Sequence, residues 1–350
     1  MMSSESWRLL AASDKFRGTA GAADVCATVA DAARHLGLVA TALPLSDGGE
    51  GFLEAMGGAV MHTLVTGPLG APVAAAWRLR DGPHGLVAVI EMAAAAGLLL
   101  VGGAEANDPV RATTMGVGEL LVAAWRAGAR DIIVGCGGSA TTDGGAGAVD
   151  VVKTFGGLPA TRLRAATDVR TRFTDAAAIF GPQKGADAQT IIGLTNRLED
   201  LAKRYVCEFG VDVRDVAGGG AAGGLAGGLV ALGASIHPGF DLVAETLGLD
   251  RHLAAADIVV TGEGRLDATS LEGKVVGGVL RRLAPATQAL VIVGDAAAGM
   301  AARASALSAA HVTVVSLLDR YGREAAFTRP LELITEVVIE FIIGAKFAGT

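Results

Sequence analysis

Asp257-Ile-Val-Val-Thr-Gly-Glu-Gly-Arg-Leu-Asp267 is the stretch that decides the fold. It begins as an apolar run through Thr261 and passes at once into a polar, glycine-punctuated segment, the pattern of a buried parallel strand that delivers charged groups to one edge of a sheet. The rhythm then repeats. A helical pattern over 275–283, an apolar run over 289–294, a helical pattern over 300–310, a run over 311–317 and a last helix from about Pro330 alternate as βαβ units do. The N-terminal part reads the same way, with a run over 7–12, an alanine-rich helix over 20–36 and a run over 38–45. We therefore expect both ends of the chain to form one doubly wound α/β domain, from 1–66 and 241–350, with 67–240 inserted as a second domain.

The inserted part has a different grain. Runs over 59–66, 73–80 and 86–92 are separated by Gly-Pro, Ala-Pro and Asp-Gly-Pro, which predicts antiparallel or mixed pairing without long helices between the strands. Farther on, Asp131-Ile-Ile-Val134 leads into Gly135-Cys-Gly-Gly-Ser-Ala-Thr-Thr-Asp-Gly-Gly-Ala-Gly147, which reads as strand, loop and helix. Six glycines, three hydroxyls and one carboxylate suit a loop whose backbone N–H groups approach an anion, with the helix N-terminus adding donors. A tight turn in a glycine-rich chain is the plainer reading, since 50 of 350 residues are Gly. The uncharged stretch 216–236 contains eight glycines and mostly alanine side chains, so it reads as loop and small-residue helix packed inside the protein, not as a membrane span.

Composition narrows the partners. A net charge of −7 with no Lys/Arg cluster argues against nucleic acid. Cys26, Cys136 and Cys207 are too far apart for a zinc knuckle and imply a reducing compartment. No basic segment followed by an apolar one opens the sequence, so the expected location is the cytoplasm, without a membrane partner.

Familiar catalytic motifs are absent by spacing. Ser139 lacks the Gly two positions later that a nucleophile elbow needs, and Gly273-Lys274 is no P-loop because Val275 follows. What remains is a set of carboxylates and cations on glycine-rich loops: Asp14, Lys15 and Arg17; Asp47 and Glu50; Asp143; Lys184; Glu263, Arg265 and Asp267; and Lys274. Phosphoryl transfer from a nucleotide asks for this inventory, with glycine loops and cations around the phosphates, carboxylates for Mg²⁺ and one Asp as base. Asp47, flanked by Gly48 and Gly49 at a strand end, is the expected base, and Lys15 with Arg17 would hold an anionic substrate.

Nine segments in order resemble the bacterial glycerate kinase family: Ser13-Asp-Lys-Phe-Arg-Gly18, Ser46-Asp-Gly-Gly-Glu-Gly51, Thr66-Gly-Pro-Leu-Gly70, Ile90-Glu-Met-Ala-Ala94, Ala112-Thr-Thr-x-Gly-x-Gly-Glu-Leu120, Gly137-Gly-Ser-Ala-Thr-Thr-Asp-Gly-Gly145, Phe180-Gly-Pro-Gln-Lys-Gly-Ala186, Ala221-Ala-Gly-Gly-Leu225, and Thr261-Gly-Glu-Gly-Arg-Leu-Asp267 with Leu271-Glu-Gly-Lys274. Arg17 and Thr142 stand where the family usually has Lys and Asn, Ala96 replaces a common Ser, and residues 170–175 lack the usual Asn-Pro-Leu. The resemblance implies a two-domain α/β kinase, a discontinuous Rossmann-like domain with an inserted flavodoxin-like one. It would use ATP and Mg²⁺ to phosphorylate D-glycerate, with 2-phosphoglycerate the expected product and 3-phosphoglycerate the other regiochemistry. The oligomeric state stays open, a homo-oligomer included.

Taken together, the expected site has Asp47, Lys15 and Asp267 as catalytic residues and Asp14, Arg17, Ser46 and Arg265 on the substrate. Gly137, Gly138, Ser139, Thr141, Lys184 and Lys274 would bind nucleotide phosphates, and Asp143 and Glu263 the metal. Two rivals stand beside it. Gly218-x-Gly220-x-x-Gly223 matches a dinucleotide fingerprint and would suit a NAD-dependent oxidoreductase of a small hydroxy acid. A non-catalytic regulator that binds sugar acids is the second.

Overall fold

The structure is a computed structural model that describes residues 7–348 apart from 17, 49 and 50. The chain divides into two compact units, Met1–Asp47 with Phe240–Thr350, and Gly48–Gly239. Numbered along the chain, the described strands are β1 (Arg8–Ala11), β2 (Val39–Ala42), β3 (Ala59–Thr66), β4 (Pro72–Gly82), β5 (Gly85–Glu91), β6 (Asp131–Gly135), β7 (Arg162–Ala166), β8 (Ser235–His237), β9 (Ile258–Leu266), β10 (Gln288–Ala296) and β11 (His311–Ser316).

The first unit holds an all-parallel sheet in the order β11-β10-β9-β1-β2. The chain steps outward from β1 to β2, then re-enters on the other side of β1 and runs outward again through β9, β10 and β11. By strand order this is the doubly wound arrangement of flavodoxin-like sheets, and its switch point lies between β1 and β9. The two strands are in register from Leu9 opposite Ile258 to Ala11 opposite Val260. On one face, Leu9, Ala11, Ile258 and Val260 are buried beneath the helix Ala22–His35, through Val25 and Val29, and beneath the C-terminal helix Pro330–Ala348, through Leu333, Ile334, Val337 and Val338.

Strand β9 is longer than the sequence suggests. Residues 262–266 form strand and not loop, because β10 pairs with them as far as Asp295 opposite Arg265 and Ala296 opposite Leu266. Gly262 lets the two backbones approach this closely: a Cβ there would lie 2.0 Å from the Ile292 carbonyl oxygen.

The second unit holds a six-stranded mixed sheet in sequential order, β3-β4-β5 antiparallel and β5-β6-β7-β8 parallel. The expected boundary at residue 66 is therefore corrected. Residues 48–66 go with the second unit, since all of β3 pairs with β4, from Ala59 opposite Leu79 to Thr66 opposite Pro72. The glycine-rich stretch becomes a short 3₁₀ turn, Ala221–Gly224, and a helix, Leu225–Ala231, buried except at the half-buried Val230. No helix among the described residues is long and apolar enough to cross a membrane. Gly218, Gly220 and Gly223 follow the helix Ala188–Phe209 and a run of turns with no strand before them, so the fingerprint lacks its strand–turn–helix context. Gly223 instead meets the loop ahead of the helix Ala146–Phe155: a Cβ on it would sit 1.9 Å from the Thr141 carbonyl oxygen.

Candidate active site

In the first unit the polar residues collect at the carboxyl ends of β1, β2 and β9. The backbone keeps them close. Beyond β1, the Ala12 and Asp14 N–H groups donate to the Val260 and Gly262 carbonyls at 2.8 and 3.0 Å, and beyond β2 the Leu45 N–H donates to the Ser13 carbonyl at 2.9 Å. Ser13 and Ser46 are buried, and Asp14, Lys15 and Asp47 follow them at the rim.

The electrostatics show how crowded this rim is. Burial of the Asp14 carboxyl, with repulsion from Asp47, raises its pKa from 3.8 to about 7, against the pull of the Lys15 N–H, Lys15 and Lys274. Glu263 is pushed to about 8, chiefly by burial and also by Asp14, while a hydrogen bond from Ser270 and the charge of Lys274 act the other way. Its Oε1 is buried with no hydrogen-bond partner. Lys274 answers these carboxylates, with Nζ 3.5 Å from Asp47 Oδ2. A cation held among carboxylates where strands end at a switch point can orient an anionic substrate while a neighbouring carboxylate takes up a proton.

Two expected members of this group do something else. Asp267 Oδ1 accepts from the Thr269 N–H at 2.8 Å, the Thr269 hydroxyl at 2.7 Å and the Ser270 N–H at 3.2 Å, and the Thr269 hydroxyl above all holds its pKa low. It shapes the turn Thr269–Leu271 that precedes Lys274. Arg265 lies on β9 rather than on a loop and points to solvent, 70% exposed and 4.0 Å from Asp295 on the neighbouring strand. Arg17 falls outside the described residues.

In the second unit the glycine loop follows β6 as expected. Gly137 and Gly138 are exposed, whereas every residue from Ser139 to Gly145 is buried. Its crown is stitched to the segment after β5: the Leu98 N–H donates to the Gly138 carbonyl at 2.9 Å and the Ala140 N–H to the Ala96 carbonyl at 2.9 Å. Gly138, Ser139 and Lys184 line a cavity of about 420 Å³. Thr141 does not reach it. The threonine is fully buried, and its carbonyl accepts from Lys184 Nζ at 2.7 Å.

Lys184 is itself only 2% exposed. Burial drives its pKa down from 10.5 to about 7, with Asp143 pulling it back up. Asn107, which no spacing in the sequence singles out, clamps the same place by donating to the Ala140 and Lys184 carbonyls at 3.0 and 2.8 Å.

Asp143 was expected on a metal, and the structure corrects this. The carboxylate is 1% exposed and already accepts from the Thr114 N–H and hydroxyl, both at 2.8 Å, the Gly145 N–H at 3.0 Å and the Gly147 N–H at 3.3 Å. Four protein donors at the start of the helix Ala146–Phe155 leave it a structural anchor. The Thr114 hydroxyl, which also accepts from the Ala148 N–H at 3.1 Å, explains the Thr-Thr pair before the helix Met115–Arg126. Among the described residues no group of three or more His, Cys, Asp or Glu could hold a metal ion by itself.

An α/β fold that offers carboxylates and a lysine at one sheet's switch point, and in another sheet a glycine loop opening on a ligand-sized cavity, has the parts of a small-molecule kinase. The model of the glycerate kinase family matches residues 9–155 and 148–341. The chain is 39% identical to the glycerate 2-kinase of Escherichia coli K12, over 78% of this chain and 81% of that protein. It is 38% identical to the glycerate kinase of Bacillus subtilis 168, over 68% and 71%. A crystal structure assigned to a glycerate kinase 2 from Salmonella typhimurium LT2 superposes with a TM-score of 0.82 at 32% identity, covering 97% of this chain and all of that one. The chain belongs to the glycerate kinase family and is an ATP-dependent kinase.

Proposed function

We propose that this kinase transfers the γ-phosphoryl group of ATP to D-glycerate and releases 2-phosphoglycerate and ADP. The observation that carries the reading is the pairing of Lys274 Nζ with Asp47 Oδ2, 3.5 Å apart beside Asp14 and Glu263. The name of the Escherichia coli relative supports the 2-hydroxyl as acceptor.

In this reading Lys15, with Arg17, holds the substrate carboxylate. The glycerate hydroxyl oxygen bonds to Pγ as the bond from Pγ to the β-bridging oxygen breaks, ADP leaves, and the hydroxyl proton passes to Asp47. Lys274 steadies the charge on the transferring group. Asp14 is the second choice for the base, because its pKa near 7 matches the working pH of a general base. Glu263, whose buried Oε1 lacks a partner, is the carboxylate that would meet Mg²⁺. One or two carboxylates suffice for an ion that arrives on nucleotide phosphates with its own water, and when bound the ion neutralises phosphate charge. The reading carries a cytoplasmic location with it, where ATP is supplied.

The test is glycerate-dependent release of ADP from ATP and Mg²⁺ by the purified protein, with phosphorus NMR of the product. A 2-phosphate signal is expected. A 3-phosphate signal would overturn the regiochemistry, and no glycerate-dependent turnover would overturn the substrate.

A further inference from the structure

Strand β3 forms one edge of the second unit's sheet, with β4 on its paired side. At eight residues it is the longest sheet edge among the described residues, where β2 has four, β8 three and β11 six. Edges of this length are normally blunted by charge, proline or a bulge, because their free backbone groups recruit another strand. Ala59-Val-Met-His-Thr-Leu-Val-Thr66 contains no Asp, Glu, Lys, Arg or Pro, and its register against β4 runs unbroken from end to end. Nothing in it discourages pairing.

The free groups can be assigned. The Gly67 N–H donates to the Ala71 carbonyl at 2.7 Å, so by the alternation of an antiparallel ladder the odd-numbered residues of β3 bond to β4 and the even-numbered ones turn their N–H and carbonyl outward. At Thr66 the outward N–H is taken by Glu119, at 2.6 Å. Val60, His62 and Leu64 are left, and among the described residues no hydrogen bond meets their outward backbone groups. The side chains of these three share one face and are exposed, Val60 at 50% and Leu64 at 74%. Alongside, a groove of about 590 Å³ is walled by Val122, Val151 and Phe155 and by one charge of each sign, Glu119 and Arg126. Its charges cancel, so a copy of the same surface meets it without net repulsion.

We propose that this edge joins two copies of the chain, with β3 pairing antiparallel to β3 of a second copy across a two-fold axis, so that one sheet continues through both. A strand is its own antiparallel complement, and a two-fold contact needs no other partner. Only one register uses all three free residues. It sets His62 against its counterpart on the axis and Val60 against the partner's Leu64, and each pair exchanges two N–H···O bonds. The same register covers the exposed Val60 and Leu64 side chains with one another, the cross-strand contact that stabilises a sheet.

Sedimentation equilibrium of the purified chain should give twice the single-chain mass. Leu64→Lys should raise the dimer Kd about a hundredfold, about tenfold for each of the two leucines no longer covered. Leu64 is exposed in the single chain, so the variant keeps its fold, which circular dichroism checks. Thiol crosslinking locates the contact independently. In a Cys207→Ser background, which removes the exposed native thiol, His62→Cys brings two thiols to the axis on Cα atoms about 5.5 Å apart, and a short bismaleimide should link most chains in pairs. Val39→Cys, on the exposed edge strand β2, is the control and should stay unlinked. A wild type that sediments at the single-chain mass overturns the proposal and leaves the edge to a strand of another protein. It is equally overturned by a dimer whose Kd Leu64→Lys leaves unchanged, or by crosslinking of His62→Cys no greater than that of Val39→Cys.

Discussion

Replacing Lys184 with methionine should make the protein more stable below neutral pH and flatten its dependence on pH. The ammonium group is almost wholly buried and has its pKa pressed from 10.5 to about 7. At 1.36 kcal/mol per unit, a charged Lys184 destabilises the fold by about 5 kcal/mol below pH 7. The sign follows from proton counts. Between about pH 7 and 10.5 the folded chain has released this proton and the unfolded chain still holds it, so stability rises with pH, by about 3 kcal/mol from pH 6 to pH 9. Lys184→Met abolishes that rise. It also leaves the buried Thr141 carbonyl without its 2.7 Å donor, a loss of about 1–3 kcal/mol. The variant should therefore be more stable than the wild type by roughly 2–4 kcal/mol at pH 6 and about equal to it at pH 9. Urea unfolding followed by tryptophan fluorescence measures this in the right unit, since Trp77 and Trp125 both belong to the second. Parallel pH dependences for the two proteins would refute the reasoning, and would mean that Asp143 compensates the buried charge.

Three further outcomes are expected. Asp47→Asn should lower kcat roughly 10²- to 10⁴-fold with little change in KM for ATP; unchanged turnover would remove Asp47 from the mechanism, rescue by Mn²⁺ would make it a metal ligand, and a larger loss in Asp14→Asn would move the base to Asp14. Asp143→Ala strands four buried donors and should cost roughly 3 kcal/mol or more of stability, read as a lowered Tm that added Mg²⁺ does not restore; a small loss that Mg²⁺ reverses would return Asp143 to metal binding. Gly262→Ala forces a Cβ to within 2.0 Å of the Ile292 carbonyl oxygen and should destabilise the first unit by roughly 3 kcal/mol or more, seen in Trp7 fluorescence during urea unfolding; a wild-type midpoint would show that β9 and β10 can part there.

The amino-acid sequence by itself determined the features that depend on near neighbours in the chain. Apolar runs such as those ending at Ala12, Leu45 and Thr261 had to be strands, the first and last of them buried and the second an exposed edge strand, and the polar segment after each had to emerge at a carboxyl end. That put Asp14, Asp47 and Asp267 at strand ends and the glycine loop after β6, although Asp267 turns out to be taken up by Thr269 and Ser270. Tertiary structure alone decided the rest. Whether residues 262–266 were loop or strand depended on β10, a partner more than twenty residues away, because a glycine-rich segment has no conformation of its own until another backbone takes up its hydrogen bonds. The unit boundary moved from residue 66 to 47 for the same reason, since β3 belongs with β4 through pairing and not through composition. Charge shows the contrast most sharply. Asp143 and Lys184 read as a metal ligand and a phosphate ligand on two glycine-rich loops, yet Thr114, Gly145 and Gly147 donate to one and Thr141 accepts from the other. A buried charge must find protein partners where water is excluded, and only the folded chain brings those partners within reach.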